Sequence, residues 1–198
     1  MSIRDRLFLL GASLLGAYQV VAGVEGLVPL AVTCYTVGFG VLIVAGLLMI
    51  VMGFETLDSP LVVILSTLIP LSLSSGLVAE YFPDYARGYL AFAIAGFLVV
   101  AASRFWLRGS FAAVSVIVVH GVAGLLIFFL PLVYVLDGLE SPGFVLVGIG
   151  GGLSGLLGLL LSFLKTGRPL FPRQTALRMI PPVLLLTAFV FVAGFALR

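Results

Sequence analysis

The 198-residue sequence is poor in the residues that most enzyme and metal sites need. It contains one cysteine (Cys34), one histidine (His120) and one lysine (Lys165). A single cysteine cannot form an intrachain disulfide, and one cysteine with one histidine cannot provide a Cys₄, Cys₂His₂ or His-cluster metal site within one chain. The composition therefore predicts no metal ion, identifies no cofactor, and favours a protein that is not an enzyme.

Charged residues are also scarce. They make up 9% of the chain, whereas hydrophobic residues make up 62%. A soluble domain carries roughly 25% charged residues, so this chain cannot cover its surface in water. We therefore predict one integral membrane domain over residues 1–198, and we expect it to be all-α because lipid offers the backbone no hydrogen-bond partners. The predicted partners are the lipid bilayer and, in a larger assembly, further copies of the chain or other membrane subunits; nothing indicates nucleic-acid binding.

Apolar segments long enough to cross a bilayer recur along the whole chain. A membrane-spanning helix needs about 20 predominantly apolar residues, and the breaks between the segments hold nearly all the charges. We predict seven spanning helices, at Leu7–Val24, Thr33–Phe54, Pro60–Tyr81, Gly88–Leu107, Phe111–Leu136, Pro142–Leu164 and Arg178–Leu197.

The basic residues between these segments predict an orientation in the cell membrane. If the N-terminus is cytoplasmic, eight of the ten basic residues fall inside, and only Arg87 and Arg198 fall outside. Such a bias marks the cytoplasmic loops of membrane proteins. The C-terminal end of the chain is then outside. The inner cations are Arg4, Arg6, Arg104, Arg108, Lys165, Arg168, Arg173 and Arg178.

The predicted outer side carries most of the acidic residues. A ring of carboxylates at a membrane entrance can concentrate cations, and a solvated outer surface is the alternative interpretation. Glu25, which two nearby glycines flank, is the candidate for a functional acid in this group. The outer acids are Glu25, Glu80, Asp84, Asp137 and Glu140.

Two helix-start signals suggest an internal repeat. Asp58-Ser59-Pro60 and Glu140-Ser141-Pro142 both place a capping oxygen before a proline at the first helical position, which is typical of helix N-termini. Similar stretches of sequence precede the two signals. Helices 2–3 therefore match helices 5–6, and in the predicted topology the two pairs have opposite orientation. This predicts a 3+3+1 inverted repeat. A rival match, Val20–Leu27 with Val118–Leu125, instead predicts a parallel repeat of helices 1 and 5.

Four polar residues fall at similar depth in the predicted membrane. Counting 1.5 Å per residue puts Gln19, Ser72 and Ser154 about 18 Å into their helices and His120 about 14–18 Å into its helix. Transporters hold substrate near the midplane, so these residues and Glu25 form the predicted ligand or transport site. The alternative is that serine and glutamine only make hydrogen bonds within or between helices.

Two helices carry further signals. Pro70 predicts a kink in helix 3 among several serines and threonines. Helix 6 is rich in small residues at a spacing of four, which permits close helix packing. The predicted packing residues are Gly148, Gly151, Gly152, Gly155 and Gly158.

The order of the serine and the histidine along the chain excludes a serine-protease site. Gly152-Leu153-Ser154-Gly155 resembles the GxSG motif of rhomboid proteases, which need a histidine on a later helix. The only histidine, His120, lies one helix earlier. The leading hypothesis is a small transporter or permeation protein with a midplane polar site, and the alternative is a structural or accessory subunit of a larger membrane complex. A third hypothesis, a membrane enzyme or a lipid-ligand binder, has less support because the chain has one histidine, one cysteine and no pair of acids within the membrane.

Overall fold

The computed structural model describes residues 1–106, 110–165 and 172–198. Within these ranges the chain contains no strand, so the predicted all-helical fold is confirmed. Two short 3₁₀ segments lie at Gly53–Asp58 and Pro142–Phe144. The described α-helices are α1 (Ile3–Ala22), α2 (Pro29–Met52), α3 (Pro60–Tyr81), α4 (Pro83–Phe105), α5 (Ser110–Leu136), α6 (Val145–Lys165) and α7 (Arg173–Ala196).

Five of the described helices, α2, α3, α4, α5 and α7, are long and apolar enough to cross a membrane. This length and composition fit an integral membrane protein. α1 is not among the five, since its first turn carries Arg4, Asp5 and Arg6. α6 is represented by the shorter apolar stretch Pro142–Gly158.

The predicted helix starts are wrong by several residues at four helices; the first turns of α1, α4 and α7 carry polar or charged residues, which hydropathy does not assign to a spanning segment. α1 starts at Ile3 rather than Leu7, since Ser2 and Asp5 form a capping box there. α2 starts at Pro29 and α4 at Pro83, where proline fits the first helical position. α7 starts at Arg173. The predicted helix end at Leu107 and the predicted inner cations Arg108 and Arg168 lie outside the described residues.

The two predicted capping serines do not cap. α3 does begin at Pro60, but Ser59 makes no side-chain capping bond. Pro142 opens a 3₁₀ segment, and α6 begins only at Val145. The Ser141 hydroxyl instead donates to the carbonyl of Leu197, so it ties the start of α6 to the end of α7.

Six of the helices pack as a closed ring in the order α1–α2–α3–α5–α6–α7 and back to α1, and α4 packs outside it against α3 and α5. One end of the bundle holds the α1–α2, α3–α4 and α5–α6 connections and Arg198; we call it the Arg198 end. The opposite end, the Asp58 end, holds the exposed ion pair between Asp58 and Arg173.

α3 and α7 are the most enclosed of the five long apolar helices. In the most apolar stretch of each helix, 56% of the residues are buried in α3 and 50% in α7. The corresponding values are 28% in α2, 28% in α4 and 22% in α5. The main core contains Leu73 and Leu77 of α3 together with Phe191 and Phe195 of α7. α3 and α7 therefore face each other across the middle of the ring.

Candidate functional site

A partly buried ionic cluster lies at the Arg198 end of the bundle. The Arg198 guanidinium bonds through Nη2 to Glu80 Oε1 at 3.0 Å and through Nε to Glu140 Oε1 at 2.8 Å. The side chains of Arg198, Glu80 and Glu140 are only 18%, 12% and 11% exposed. We call these three residues together with Tyr81 the Arg198 cluster.

Further hydrogen bonds fix both carboxylates. The Tyr81 hydroxyl donates to Glu140 Oε1 at 2.7 Å, and the backbone N–H of Val28 donates to Glu80 Oε2 at 3.0 Å. The Tyr134 hydroxyl donates to the Tyr81 carbonyl at 3.1 Å and so holds the end of α3. The cluster thus joins α3, α5, the start of α2 and the residues that flank α6 and α7.

Two carboxylates surround one guanidinium in this cluster. Burial alone would lower the pKa of Arg198, but its hydrogen bonds to Glu140 and Glu80 raise that pKa above its ordinary value. The guanidinium also lies 5.5 Å from the ring centre of Tyr81 and 5.9 Å from that of Phe144, within the range of cation–π attraction. Arg198 is therefore charged and held from several sides, because a buried charge needs partners to offset its desolvation.

A layer of aromatic rings lies next to the cluster and fills the interior. The Phe195 ring lies 4.7 Å from Tyr35, 6.1 Å from Phe39 and 6.2 Å from Phe144, between ring centres. Phe39 also meets Phe191 edge to face at 6.3 Å. These aromatic side chains come from α2, α7 and the segment before α6. They fill the space between these helices next to the ionic cluster.

The structure brings together two of the predicted outer acids and leaves three apart. Glu80 and Glu140 share Arg198, whereas Glu25, Asp84 and Asp137 are exposed. Glu25 lies in the connection after α1, which ends at Ala22, rather than inside a helix. The acids that meet at this end are therefore neutralised in part by an arginine.

The predicted midplane residues lie on four different helices. Gln19 is buried, and its Nε2 donates to the Gly23 carbonyl at the end of its own helix. The Ser154 hydroxyl donates to the Gly151 carbonyl one turn earlier. Ser72 lies beside Gly38 of α2, and His120 is partly buried on α5.

The described cavities do not join these residues. Gln19 lines a cavity of about 10 Å³ with Tyr35 and Phe39, which has room for at most one water molecule. A second cavity, of about 300 Å³, is an apolar groove between α2 and α3. None of Ser72, His120 and Ser154 lines either one.

The five predicted packing glycines of α6 divide into two groups. Gly148, Gly151 and Gly152 lie against Ile127 and Phe128 of α5, where an added Cβ would come within 3.3 Å of a neighbour. A Cβ on Gly155 or Gly158 would meet no atom within 4 Å among the described residues. Close packing on α5 is therefore concentrated in the first half of α6.

Arg198 is the residue of this site that sequence reasoning missed. Its signal was present, because an arginine at the acid-rich end runs against the general bias of the basic residues. A cation among acidic residues is expected to form an ion pair with one of them when the chain folds. In comparisons with known proteins, no protein family, curated protein or solved structure matches this chain.

Proposed function

We propose that this chain is a small seven-span transporter built from two three-helix halves. The first half is α1–α3, the second half is α5–α7, and α4 joins them. Many transporters consist of repeats related by a twofold axis, with the substrate site near the midplane where the repeats meet. The matched geometry of the two halves is the observation that carries the proposal.

The connections within the two halves match in sequence and in backbone form. Glu25-Gly26-Leu27 follows α1, and Asp137-Gly138-Leu139 follows α5, 112 residues later. The φ angles are +76° at Gly26 and +71° at Gly138, a conformation that glycine adopts at little cost. Both halves thus use an acid–glycine–leucine turn at the same place.

Two close helix contacts match as well. An added Cβ on Gly76 of α3 would collide with the ring of Tyr35 on α2, and one on Gly194 of α7 would lie 2.7 Å from Val147 on α6. Tyr35 and Val147 are again 112 residues apart, and Gly76 and Gly194 are 118 apart. α2 packs on α3 through the same positions by which α6 packs on α7.

A second contact repeats with the same two shifts. Gly38 of α2 lies against Leu73 of α3, and Gly150 of α6 lies against Phe191 of α7. The glycines are 112 residues apart and their large partners are 118 apart. Two independent contacts with one pair of shifts support a common arrangement of the two halves.

The two central helices share a further feature. α3 contains Pro70, and α7 contains Pro181 and Pro182. Proline inside a helix removes a backbone hydrogen bond and produces a kink. Each half therefore contributes one enclosed, proline-containing helix to the interface where a transporter would bind and move its substrate.

The helix contacts favour the parallel repeat over the inverted one. In the inverted scheme, α1, α2 and α3 correspond to α4, α5 and α6, respectively. Since α3 packs on α4 and α5, its counterpart α6 would have to pack on α1 and α2. Comparable packing of those pairs does not occur among the described residues. The sequence match of Val20–Leu27 with Val118–Leu125 pairs the right helices but implies a shift of 98 residues, not 112.

In this proposal all seven α-helices cross the bilayer and the Arg198 end is outside. Eight of the ten basic residues are then cytoplasmic, in keeping with the positive-inside rule. The ionic cluster and the aromatic layer close the outer end. The proposed contacts for a substrate bound near the midplane are still Gln19, Ser72, His120 and Ser154.

Paired cysteine reporters on α3 test alternating access without a known substrate. In a Cys34→Ala background, Ser75→Cys reports on the outer half of α3 and Thr67→Cys on its inner half; both native side chains are buried. We expect a membrane-impermeant maleimide to label Ser75→Cys only from outside and Thr67→Cys only from inside. Blocking one site should slow labelling of the other, and Asp84→Cys serves as the exposed outer control.

A structural or accessory subunit is the second candidate, and one observation favours it. Gln19 and Ser154 both bond to their own helices, as expected of polar residues that only stabilise a bundle. A static subunit would leave both reporters on α3 unlabelled from either side while the exposed control reacts. That result would exclude the transporter and favour the subunit.

A further inference from the structure

Hydrogen bonds in the Arg198 cluster cross between the two halves. Arg198 follows α7 and bonds to Glu80 at the end of α3. Tyr81 of α3 donates to Glu140, which precedes α6, and Tyr134 of α5 donates to the Tyr81 carbonyl. All three interactions therefore break if the two halves separate at this end.

Each partner of the central ion pair is also held within its own half. Glu80 accepts a hydrogen bond from the N–H of Val28, at the start of α2. Arg198 is bonded to Glu140, and the Leu197 carbonyl accepts from Ser141. The two charges are thus fixed on separate bodies, so that relative motion of the halves acts directly on the bond between them.

The ion pair lies at corresponding positions of the two halves. Glu80 and Arg198 are 118 residues apart, the shift that relates α3 to α7. Each lies four residues, about one helical turn, after a close-contact glycine, Gly76 or Gly194. Opposite charges at equivalent positions of two related units meet where the units approach each other.

We infer that Arg198, Glu80 and Glu140 form a latch that closes the outer end of the interface between the halves and breaks when that end opens. The inference rests on the proposed transporter for the direction of opening. The latch contains two acids and one cation. The bond between Arg198 and Glu80 can therefore break while Arg198 stays paired with Glu140. The latch can therefore open without leaving the partly buried guanidinium unpaired, which would be costly.

Labelling of Ser75→Cys from outside measures the latch. Arg198→Gln removes the shared cation and should raise the labelling rate about 10- to 100-fold, since it leaves the partly buried carboxylates of Glu80 and Glu140 without their cation. Glu80→Gln should act alike, and adding it to Arg198→Gln should change little, because both remove the same bond. Tyr81→Phe, which keeps every charge, should raise the rate by less than tenfold.

Two controls separate latch opening from general loosening. Arg173→Gln breaks the ion pair at the other end, whose side chains are 65% and 63% exposed, and should leave the rate unchanged. Labelling of Thr67→Cys from outside should remain absent in all variants. An unchanged Ser75→Cys rate in Arg198→Gln would overturn the latch, and so would equal acceleration by Arg173→Gln.

The latch and the transporter can fail separately. If Arg198→Gln exposes Ser75→Cys from outside but Thr67→Cys never reacts from inside, the latch holds and alternating access is refuted. If both reporters react in alternation in the native background but Arg198→Gln has no effect, the transporter holds and the latch is refuted.

Discussion

Replacing Gly194 with alanine tests a close contact of α7 with the backbone of α6. A Cβ at this position would lie 2.7 Å from both the backbone nitrogen and a methyl group of Val147. Normal contact between such atoms is about 3.5 Å, so the helices must separate by about 0.8 Å there. A backbone nitrogen cannot rotate away as a flexible side chain can.

The separation weakens neighbouring contacts as well. Gly150 of α6 lies against the Phe191 ring one turn along the same interface. A gap of about 0.5–1 Å loses a quarter to a half of each dispersion contact, and overpacking costs about 1–3 kcal/mol. We expect Gly194→Ala to lower the free energy of unfolding by about 3 kcal/mol, and the Tm by about 6–12 °C.

The native Cys34 provides the assay, because its thiol is buried and free. A thiol-reactive dye reports its exposure as the detergent-solubilised protein is heated. Gly155→Ala on α6 is the matched control, since its Cβ would meet no atom within 4 Å in the part of the chain that the structure describes; it should be neutral or stabilising by up to about 1 kcal/mol. If Gly194→Ala unfolds at the temperature of the wild type, the close packing of α6 on α7 is refuted.

Three further predictions concern single contacts and topology. Tyr89→Phe removes the 2.8 Å bond to the Ser74 hydroxyl and should cost about 0.6 kcal/mol, measured by thermal unfolding; a loss above about 2 kcal/mol would contradict this. Arg173→Gln should change stability by less than about 1 kcal/mol in the same assay, because its ion pair is solvated. Asp84→Cys should be labelled only from outside intact cells and Glu55→Cys only after permeabilisation; the reverse pattern would invert the proposed topology.

The sequence predicted the fold class and most of the helix bodies, because apolar length alone requires helices in lipid. It misplaced helix starts such as Pro83 and Arg173, where polar residues continue a helix beyond its apolar part. Hydropathy measures the segment that lies in the hydrocarbon, whereas the backbone hydrogen bonds that define a helix continue into the headgroup region.

The candidate site was less predictable. The outer acids were recognised as a group, but only Glu80 and Glu140 meet, and their meeting depends on Arg198, which is more than 50 residues away from either in sequence. Depth counting placed Gln19 and Ser154 near the midplane but could not show that their hydrogen bonds are made within their own helices. Pairings between distant helices come from packing, which a single sequence does not report.

Spin labels at Glu25→Cys and Asp137→Cys, in a Cys34→Ala background, test most directly whether the two halves move against each other. These exposed positions are equivalent under the 112-residue shift and lie at the Arg198 end. Pulsed dipolar EPR in liposomes should show two distance populations, and Arg198→Gln should increase the longer one. A single narrow distance that Arg198→Gln leaves unchanged would contradict a transporter made of two moving halves.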